Sequence, residues 1–324
     1  MATLNASSSA SPVPRLSAEG LTSRPSSVWR DTLRRLFRRR SAILGLIILG
    51  LLAFVAVFAP VIAPYDPERV LIGVENVKKR MPPCIHLLGC PADQPQHLLG
   101  TDGNVRDFFS RIVFGARLSL VIGVTTVTFA IVVGTLLGAL AGYAGGWTDN
   151  VIMRLMDVLL AFPQLILAIA IVTVLGPGLE NALIAISIVS IPAYARVMRA
   201  SVLSIKEMDF VSASRALGAS PAHILFLRVL PNALTPLIVQ GTLGIASAIL
   251  EAAALSFIGL GAQPPTPEWG SMLGAERNQV FTAPHLVFIP GIAIMLTVLA
   301  FNLIGDGLRD ALDPRLSQMG IKIK

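Results

Sequence analysis

Charged side chains are scarce in this chain of 324 residues. Asp, Glu, Lys and Arg make up 14% of it, against about 25% in a typical soluble domain, while 54% of the residues are hydrophobic. The mean hydropathy is +0.72. A chain this poor in polar groups cannot cover its own surface with them, which excludes an ordinary soluble globular protein. A lipid bilayer is therefore the predicted solvent for much of the surface.

Lysine is rarer still, and this bears on energy supply. The chain has five lysines, and none follows the spacing Gly, four residues, Gly that places a lysine against the phosphates of ATP. No Ser-His-Asp set, pair of catalytic carboxylates or dinucleotide-binding glycine run stands out. The sequence predicts no enzyme chemistry, no cofactor and no ATP hydrolysis by this chain itself.

Cysteine occurs only at Cys84 and Cys90, too few to staple a chain of this length. Both lie in a polar segment predicted outside the membrane, where a disulfide can persist; two free thiols are the alternative. With His86 and His97 they form a conceivable metal site, but the spacing fits no standard zinc pattern. We predict no metal site.

Long stretches without charge predict membrane-spanning helices, because about 20 apolar helical residues cross a bilayer core. Five charge-free stretches are long enough to cross. A sixth, over residues 181–195, is shorter and interrupted by Pro192, and it needs the next three residues to span the bilayer core. We therefore predict an all-α, polytopic membrane protein with six transmembrane helices. The five longer stretches cover residues 41–65, 118–148, 158–179, 229–250 and 278–305.

Basic residues set the predicted orientation of the chain. Eight arginines lie within the first forty residues, and residues 196–228 hold five Lys/Arg against two acids, whereas the short loops of the opposite side hold almost none. We therefore predict cytoplasmic N- and C-termini. The net charge of +7 is placed to meet an anionic membrane face rather than nucleic acid.

Composition divides the chain into four predicted parts. Residues 1–29, rich in Ser, Pro and Ala, form a disordered cytoplasmic tail. Residues 30–65 are a basic flank with the first span, and residues 66–112 form an extracytoplasmic loop. Residues 113–324 are the core, with five spans and a cytoplasmic loop at about residues 204–231.

Helix start and stop signals are unusually clear in that cytoplasmic loop, which reads MDFVSASRALGASPAHILFLRVLPN over residues 208–232. Asp209 is the predicted N-cap of a short helix through Leu217, and Gly218 supplies a left-handed stop. Ser220 caps a second helix with Pro221 in its first position, and this helix runs to the fifth span. Two stiff helices with a tight glycine turn predict a protruding knob; an ordinary amphipathic linker is the alternative.

The same stretch resembles the cytoplasmic signature loop of ABC importer permeases, which reads Glu-Ala-Ala, three residues, Gly, nine residues, Ile, one residue, Leu-Pro. The Gly and Leu-Pro slots agree here, but Ser212 stands for Glu and Arg228 for Ile. The resemblance implies that this loop couples the chain to an ATPase. The implied coupling residues are Ser212, Ala213, Ser214, Arg215, Gly218, Ala219, Ser220, Pro221, Leu230 and Pro231.

Three further stretches are similar to the dipeptide, oligopeptide and nickel branch of that family. They are LGTDGNVRDFFSRIVFGARLSL from residue 99, where Val105 replaces the usual Gly, AAALSFIGLGAQPPTPEWGSML from residue 252, and NLIGDGLRDALDPR from residue 302. The likeness implies a multi-pass subunit of a bacterial inner membrane. It also implies a second permease chain, two ATP-binding subunits and an extracytoplasmic solute-binding protein as partners. Di- or oligopeptides are the expected cargo, with nickel or another small solute as the alternative.

Polar residues inside spans are candidate functional groups because burying them in lipid is costly. We expect Asp157 to pair with Arg154 one turn away. Glu251 faces the substrate path or hydrogen-bonds to another helix, and we favour the second, because the span is expected to break nearby. The pathway candidates are Asp157, Asn232, Gln240, Glu251 and Asn302.

Two other functional classes remain as hypotheses. A secondary transporter driven by an ion gradient favours buried acid clusters and inverted repeats, and neither stands out in the sequence. A membrane scaffold or receptor component without transport is the second hypothesis.

Overall fold

The computed structural model of this protein describes residues 28–91 and 93–312, and this part of the chain is built from helices. The predicted tail over residues 1–29 therefore lies almost wholly outside the described residues. The helices are α1 (Val28–Leu36), α2 (Arg40–Val57), α3 (Ala59–Ile62), α4 (Phe108–Ala144), α5 (Gly146–Leu160), α6 (Gln164–Leu175), α7 (Leu179–Ile205), α8 (Asp209–Ala216), α9 (Pro221–Ile224), α10 (Leu230–Phe257), α11 (Trp269–Glu276) and α12 (His285–Leu312).

The closest helix pair is α4 and α7, which meet through glycines. Gly134 faces Tyr194, and Gly142 faces Val202. Between them a Cβ on Gly138 would collide with the carbonyl oxygen of Ala195. Residue numbers rise together along this contact, so the two helices are parallel. Small residues let the backbones approach closely, which supplies the van der Waals packing that drives association in lipid.

Helices α10, α12 and α2 complete the bundle in alternating directions. Gly123 of α4 faces Ile249 of α10, whereas Gly241, nearer the start of α10, faces Ile131. Helix α10 is therefore antiparallel to α4. By the same comparison α12 is antiparallel to α10. Helix α2 is antiparallel to α12, and its Gly45 packs against the Ala300 backbone of α12.

These directions give the bundle two sides. We call the side where α7 leads into α8 the turn side, and the side of residues 63–107 the loop side. Helix α2 begins and α12 ends on the turn side, where Arg39 and Asp310 form an ion pair of 3.1 Å. Both ends of the described chain thus lie on the same side as α8 and α9, the arrangement that the charge distribution predicted. Which side is cytoplasmic stays a prediction.

Five single helical stretches are long and apolar enough to cross a membrane, namely α2, α4, α7, Pro221–Phe257 and α12. The pair α5 and α6 passes the same test together but is bent by 91°. Helix α4 ends on the turn side and α7 begins on the loop side, so the bent pair carries the chain across. The count of six spans is thus reached with one broken span.

The single helix expected over residues 158–179 is wrong. Helix α5 starts at Gly146, only one residue after α4, and ends at Leu160. Pro163 then stands immediately before α6. Proline disfavours a helical conformation for the residue before it, which ends α5 and allows the sharp bend.

The span expected to be the shortest is instead a helix of 27 residues, α7, and Pro192 lies inside it. Its polar second half stays helical because Arg196 and Arg199 find carboxylate partners on α5. The break expected near Glu251 is also wrong, because α10 continues to Phe257.

Replacing Gly138 by Ala tests the glycine contact between α4 and α7. The added Cβ has no room against the Ala195 backbone, so we expect a loss of about 1–3 kcal/mol and a lower melting temperature of the detergent-purified protein. Gly50→Ala on α2 is the matched control, since nothing lies within 4 Å of its Cβ position. Equal melting temperatures for the two variants would contradict the packing argument.

Candidate functional site

The first candidate site is the helical hairpin of residues 209–224, which we call the elbow. Helix α8 starts at Asp209, but the capping position belongs to Met208 in extended conformation and no side chain caps the helix. The predicted N-cap role of Asp209 is therefore wrong; as an acid in the first turn it still complements the helix dipole. The helix ends at Ala216, and Gly218 adopts the left-handed conformation with φ of +82°.

The second half of the elbow has the predicted cap. The Ser220 hydroxyl accepts a hydrogen bond from the backbone N–H of His223 at 3.3 Å, and Pro221 is the first residue of α9. A π-helical turn, Leu225–Val229, then joins α9 directly to α10. Helical structure thus runs from Pro221 to Phe257, and Pro231 lies in the first turn of α10 without interrupting it. Helix α9 is therefore continuous with α10.

Two buried aliphatic side chains hold the elbow against the bundle. Val211 of α8 and Ile224 of α9 are 0% and 1% exposed and belong to the main apolar cluster. Leu217, at the tip between the helices, is 88% exposed. The elbow is thus anchored at its base and presents a bare apolar tip.

Seven of the ten implied coupling residues are exposed, and the other three are half-buried. Ser214 donates its hydroxyl hydrogen bond to the carbonyl of Phe210 at 2.8 Å within α8, and Leu230 is half-buried in α10. Ala219 is half-buried as well. The remaining implied residues are exposed: Ser212, Ala213, Arg215, Gly218, Ser220, Pro221 and Pro231.

Charged pairs tie α5 to α7 near the elbow. Arg199 contacts Asp149 at 2.5 Å, and the Arg196 guanidinium contacts Asp157 at 2.5 Å. The expected pairing of Asp157 with Arg154 on its own helix is therefore wrong; the partner comes from α7. Both members of the Arg196–Asp157 pair are 51% exposed, so the pair stabilises the fold by no more than about 1 kcal/mol and mainly fixes helix register.

A second cluster of charges lies on the loop side and is buried. Asp102 accepts hydrogen bonds from the Arg106 side chain at 2.7 Å and from the backbone N–H of Asn104 at 2.9 Å. Arg111, on the first turn of α4, donates to the carbonyls of Pro67 at 2.8 Å and Pro265 at 2.9 Å. Buried charges persist only when paired and hydrogen-bonded. These contacts join the segment after α3, the start of α4 and the segment before α11.

Glu276 attaches α11 to the same cluster, and Glu268 caps that helix. Glu276 accepts from the Arg80 side chain at 2.8 Å and from the backbone N–H of Gly103 at 2.7 Å. Glu268 caps α11 by accepting from the backbone N–H groups of Gly270 and Ser271. Burial raises the pKa of the Glu268 carboxyl, although these hydrogen bonds oppose the shift.

His97 joins the cluster to the cap of α4. Its ring nitrogens lie 2.8 Å from Asp107 Oδ1 and 3.3 Å from Glu75 Oε2, and Tyr65 stacks on the ring at 4.9 Å. Asp107 in turn accepts from the Ser110 backbone N–H at the start of α4. Burial disfavours the charged imidazole, but the Asp107 hydrogen bond and the charges of Asp107 and Glu75 outweigh it and raise the pKa of His97.

Cys84 and Cys90 are joined by a disulfide with their Cα atoms 5.4 Å apart. Cys84 also donates its backbone N–H to the carbonyl of His97 at 2.9 Å. Both cysteine sulfurs are thus engaged in the disulfide, and both ring nitrogens of His97 lie within hydrogen-bonding distance of carboxylates. Residues 28–91 and 93–312 contain no group of three or more His, Cys, Asp or Glu side chains arranged to hold a metal ion.

The pathway candidates are not gathered in one place. Asn232 donates to the Arg228 carbonyl of its own helix at 2.7 Å, and Asn302 is exposed on α12. Glu251 Oε2 is buried and has no hydrogen-bond partner among the described residues, so the expected bond to another helix is not formed. Gln240 and Glu251 share one face of α10.

Sequence reasoning missed the buried charge cluster of the loop side. The segment LGTDGNVRDFFSR places Asp102–Arg106 and Asp107–Arg111 at i,i+4 spacing ahead of an apolar helix. That concentration of charge was the available signal. Its partners could not be named, since Glu276 and Pro265 are more than 150 residues away.

Comparisons of this chain with protein families and with related sequences identify the same family. Residues 134–318 match the family described as "Binding-protein-dependent transport system inner membrane component". This is more than half of the chain. The chain belongs to that family. It is therefore a multi-pass, inner-membrane permease of the ABC importer type, and residues 27–83 match the N-terminal transmembrane domain of oligopeptide transport permease C.

Relatives that align with nearly the whole of this permease are 46–49% identical to it. The dipeptide transport system permease protein DppC of Alkalihalophilus pseudofirmus is 48% identical over 90% of this chain and 91% of the relative. The di/tripeptide transport system permease protein DppC of Pseudomonas aeruginosa is 49% identical over 90% and 95%. The glutathione transport system permease protein GsiD of Escherichia coli is 46% identical over 89% and 91%.

A solved structure shows the same fold at lower identity. The MetNI methionine ABC transporter in an inward-facing conformation aligns with a TM-score of 0.52 and 20% identity over 63% of this permease and 96% of that chain. The ABC importer transmembrane fold is thereby shown for this chain.

The raised pKa of His97 predicts a pH-dependent fold on the loop side. A raised folded-state pKa contributes stability that is complete below the ordinary value of 6.5 and lost as pH rises through the folded pKa. We expect the melting temperature of the purified permease to fall as pH rises above about 6.5, and His97→Asn to flatten this dependence. A wild-type slope that survives in His97→Asn would assign the effect to other groups.

Proposed function

We propose that this permease carries di- and oligopeptides inward, as one of two permease chains that enclose the pathway. Support for the cargo comes from the relatives, which are dipeptide, di/tripeptide and glutathione transport permeases. Glutathione is itself a small peptide, so these names describe one chemical class. A solute-binding protein on the loop side delivers the peptide in this proposal.

The observation that carries the proposed mechanism is the elbow. Its tip is exposed, its base is buried, and α9 is continuous with a membrane-spanning helix. ATP-binding subunits seated on the elbow would move α8 and α9 when they close. Since helix continues from α9 into α10, that motion would tilt or shift α10 across the membrane and alternate the pathway between its two open states.

Orientation follows from the same proposal. The elbow and both ends of the described chain lie on the turn side, which we assign to the cytoplasm, where ATP is available. The loop side then faces the extracytoplasmic compartment, which agrees with a disulfide between Cys84 and Cys90, since such bonds persist in oxidising compartments.

Two ATP-binding subunits are required because one serves each permease chain of a paired pathway. The seat on this chain is the surface formed by Leu217, the exposed faces of α8 and α9, and the turn at Gly218. Arg215 lies on the exposed surface of α8, where it can meet a carboxylate of the ATPase. Ser212, which stands where the family has Glu, cannot supply an ionic contact there.

The cargo is tested by uptake into proteoliposomes that contain the complete complex and its binding protein. We expect ATP-dependent accumulation of labelled dipeptide, and competition by unlabelled dipeptides but not by Ni²⁺. Uptake that survives ATP depletion and collapses with the proton gradient would instead assign a secondary transporter. Accumulation of Ni²⁺ without competition by peptides would reassign the cargo.

The elbow is tested by a pair of substitutions at Gly218. Asn tolerates the left-handed conformation whereas a β-branched residue does not, and no neighbour limits the space there. We expect Gly218→Val to lower peptide uptake at least tenfold, because about 1–2 kcal/mol of backbone strain distorts the turn, and Gly218→Asn to retain most uptake. ATP hydrolysis that no longer responds to peptide would mark the loss as uncoupling.

A tip substitution separates docking from folding. Leu217→Asp removes the bare apolar contact without touching the buried base, so the melting temperature of the isolated permease should stay unchanged while the ATPase subunits no longer co-purify. Leu217→Met is the conservative control. Normal co-purification of the ATPase with Leu217→Asp would place the docking surface elsewhere.

A further inference from the structure

One face of α10 differs from the other exposed helix faces of the bundle. Its residues follow one another every three or four positions, so they fall on a single stripe, and every one of them is exposed or half-buried. The stripe contains no large aliphatic or aromatic side chain. Its residues are Pro236, Gln240, Gly244, Ser247, Glu251 and Ala254. At Gly244 the stripe packs against the Tyr194 hydroxyl of α7, so its open parts lie on either side of that contact.

The exposed face of α2 shows what a lipid-facing surface of this protein looks like. Leu44, Ile47, Leu51 and Phe54 are all large, apolar and exposed there. The stripe on α10 is instead small and polar. Ionisable side chains within membrane spans face a bundle interior or a water-filled cavity rather than lipid, which favours the transport pathway over lipid as the surroundings of Ser247 and Glu251.

Glu251 is the only acid on the stripe, and the described chain leaves it without a partner. Its Oε2 atom is buried and accepts no hydrogen bond. None of the ion pairs formed by residues 28–91 and 93–312 includes it. A buried carboxyl oxygen without a donor is costly, and a cationic donor that arrives from the pathway reduces that cost.

We propose that Glu251 binds the N-terminal ammonium group of the peptide during its passage. This inference rests on the proposed function, since it presumes a peptide cargo. Every unmodified peptide carries one such ammonium at neutral pH, because the α-amino pKa is about 7.7–8.0. A single carboxylate at a fixed depth therefore recognises the class without reading any side chain.

The position of Glu251 along α10 suits an early contact. It lies about two turns from the loop-side end of the helix at Phe257, so a peptide entering from that side meets it first. The more distant Ser247 and Gln240 offer neutral hydrogen-bonding groups further along the stripe. Because α10 is continuous with the elbow, ATP-driven motion moves Glu251 relative to the opposite wall, which provides a means of releasing the ammonium.

The test measures equilibrium binding of labelled dialanine and of N-acetyl-dialanine to the complete complex in nanodiscs. The solute-binding protein is left out because it makes its own selection. Wild type should bind dialanine about tenfold more tightly than N-acetyl-dialanine. This difference is the loss of affinity expected when one hydrogen bond to a charged group is removed. Glu251→Gln should bind both compounds with the weak affinity of the acetylated one, and Glu251→Asp should restore part of the preference.

Asp306→Asn is the matched control, since it removes an exposed carboxylate from α12, away from the stripe, and should keep the preference for dialanine. Equal binding of the two compounds to wild type, or no binding of either, overturns the proposal without needing a variant. So does an equal loss for both compounds in Glu251→Gln. Failure of Glu251→Gln to retain the second permease would assign the carboxyl to subunit pairing.

Failure of the proposed function gives a different result. If wild-type complex with its binding protein accumulates no peptide in vesicles, the cargo assignment itself is wrong. Normal peptide accumulation together with equal binding of dialanine and N-acetyl-dialanine would contradict only the proposed role of Glu251.

Discussion

An uninterrupted helix from Pro221 to Phe257 is the constraint on which the rest of this permease depends. In lipid every backbone N–H and C=O must be satisfied within the protein, so a segment that leaves the elbow and crosses the membrane stays helical throughout. A π-helical turn, Leu225–Val229, joins α9 to α10 within this helix. Helix α9 of the elbow and the polar stripe around Glu251 are therefore two parts of one continuous helical element, which contains the π-helical turn and Pro236.

The surroundings of that helix differ between its two ends. Glycines of α4 allow backbone contact with α7, and the apolar cluster that buries Val211 and Ile224 belongs to the same core. The loop side is held differently, by buried charges. Asp102, Arg111 and Glu276 bring together segments that are far apart in the chain. The bundle is thus held by apolar packing at the turn side and by directional polar contacts at the loop side.

Much of the local structure followed from composition and short patterns. Charge-free runs located four of the spans, those of α2, α4, α10 and α12, because burying a charge in lipid costs about 2.5–3.5 kcal/mol on insertion scales. The left-handed Gly218 and the Ser220 cap with Pro221 were predictable because turn chemistry is set by single residues and their neighbours. Where a neighbour in space decided the outcome, prediction failed: Asp157 pairs with Arg196 of another helix, and α7 extends past its charges because α5 supplies partners.

The amino-acid sequence by itself determined that this protein lives in a bilayer, how many times it crosses, and where the elbow turns, since each depends on side-chain hydrophobicity or on one residue's backbone freedom. Only the tertiary structure decided the 91° bend between α5 and α6, the partners of the buried charges, and the placing of Gln240, Ser247 and Glu251 on one open face. Those features depend on which helices pack together and which faces they leave uncovered. Periodicity along a single strongly apolar helix carries no such information.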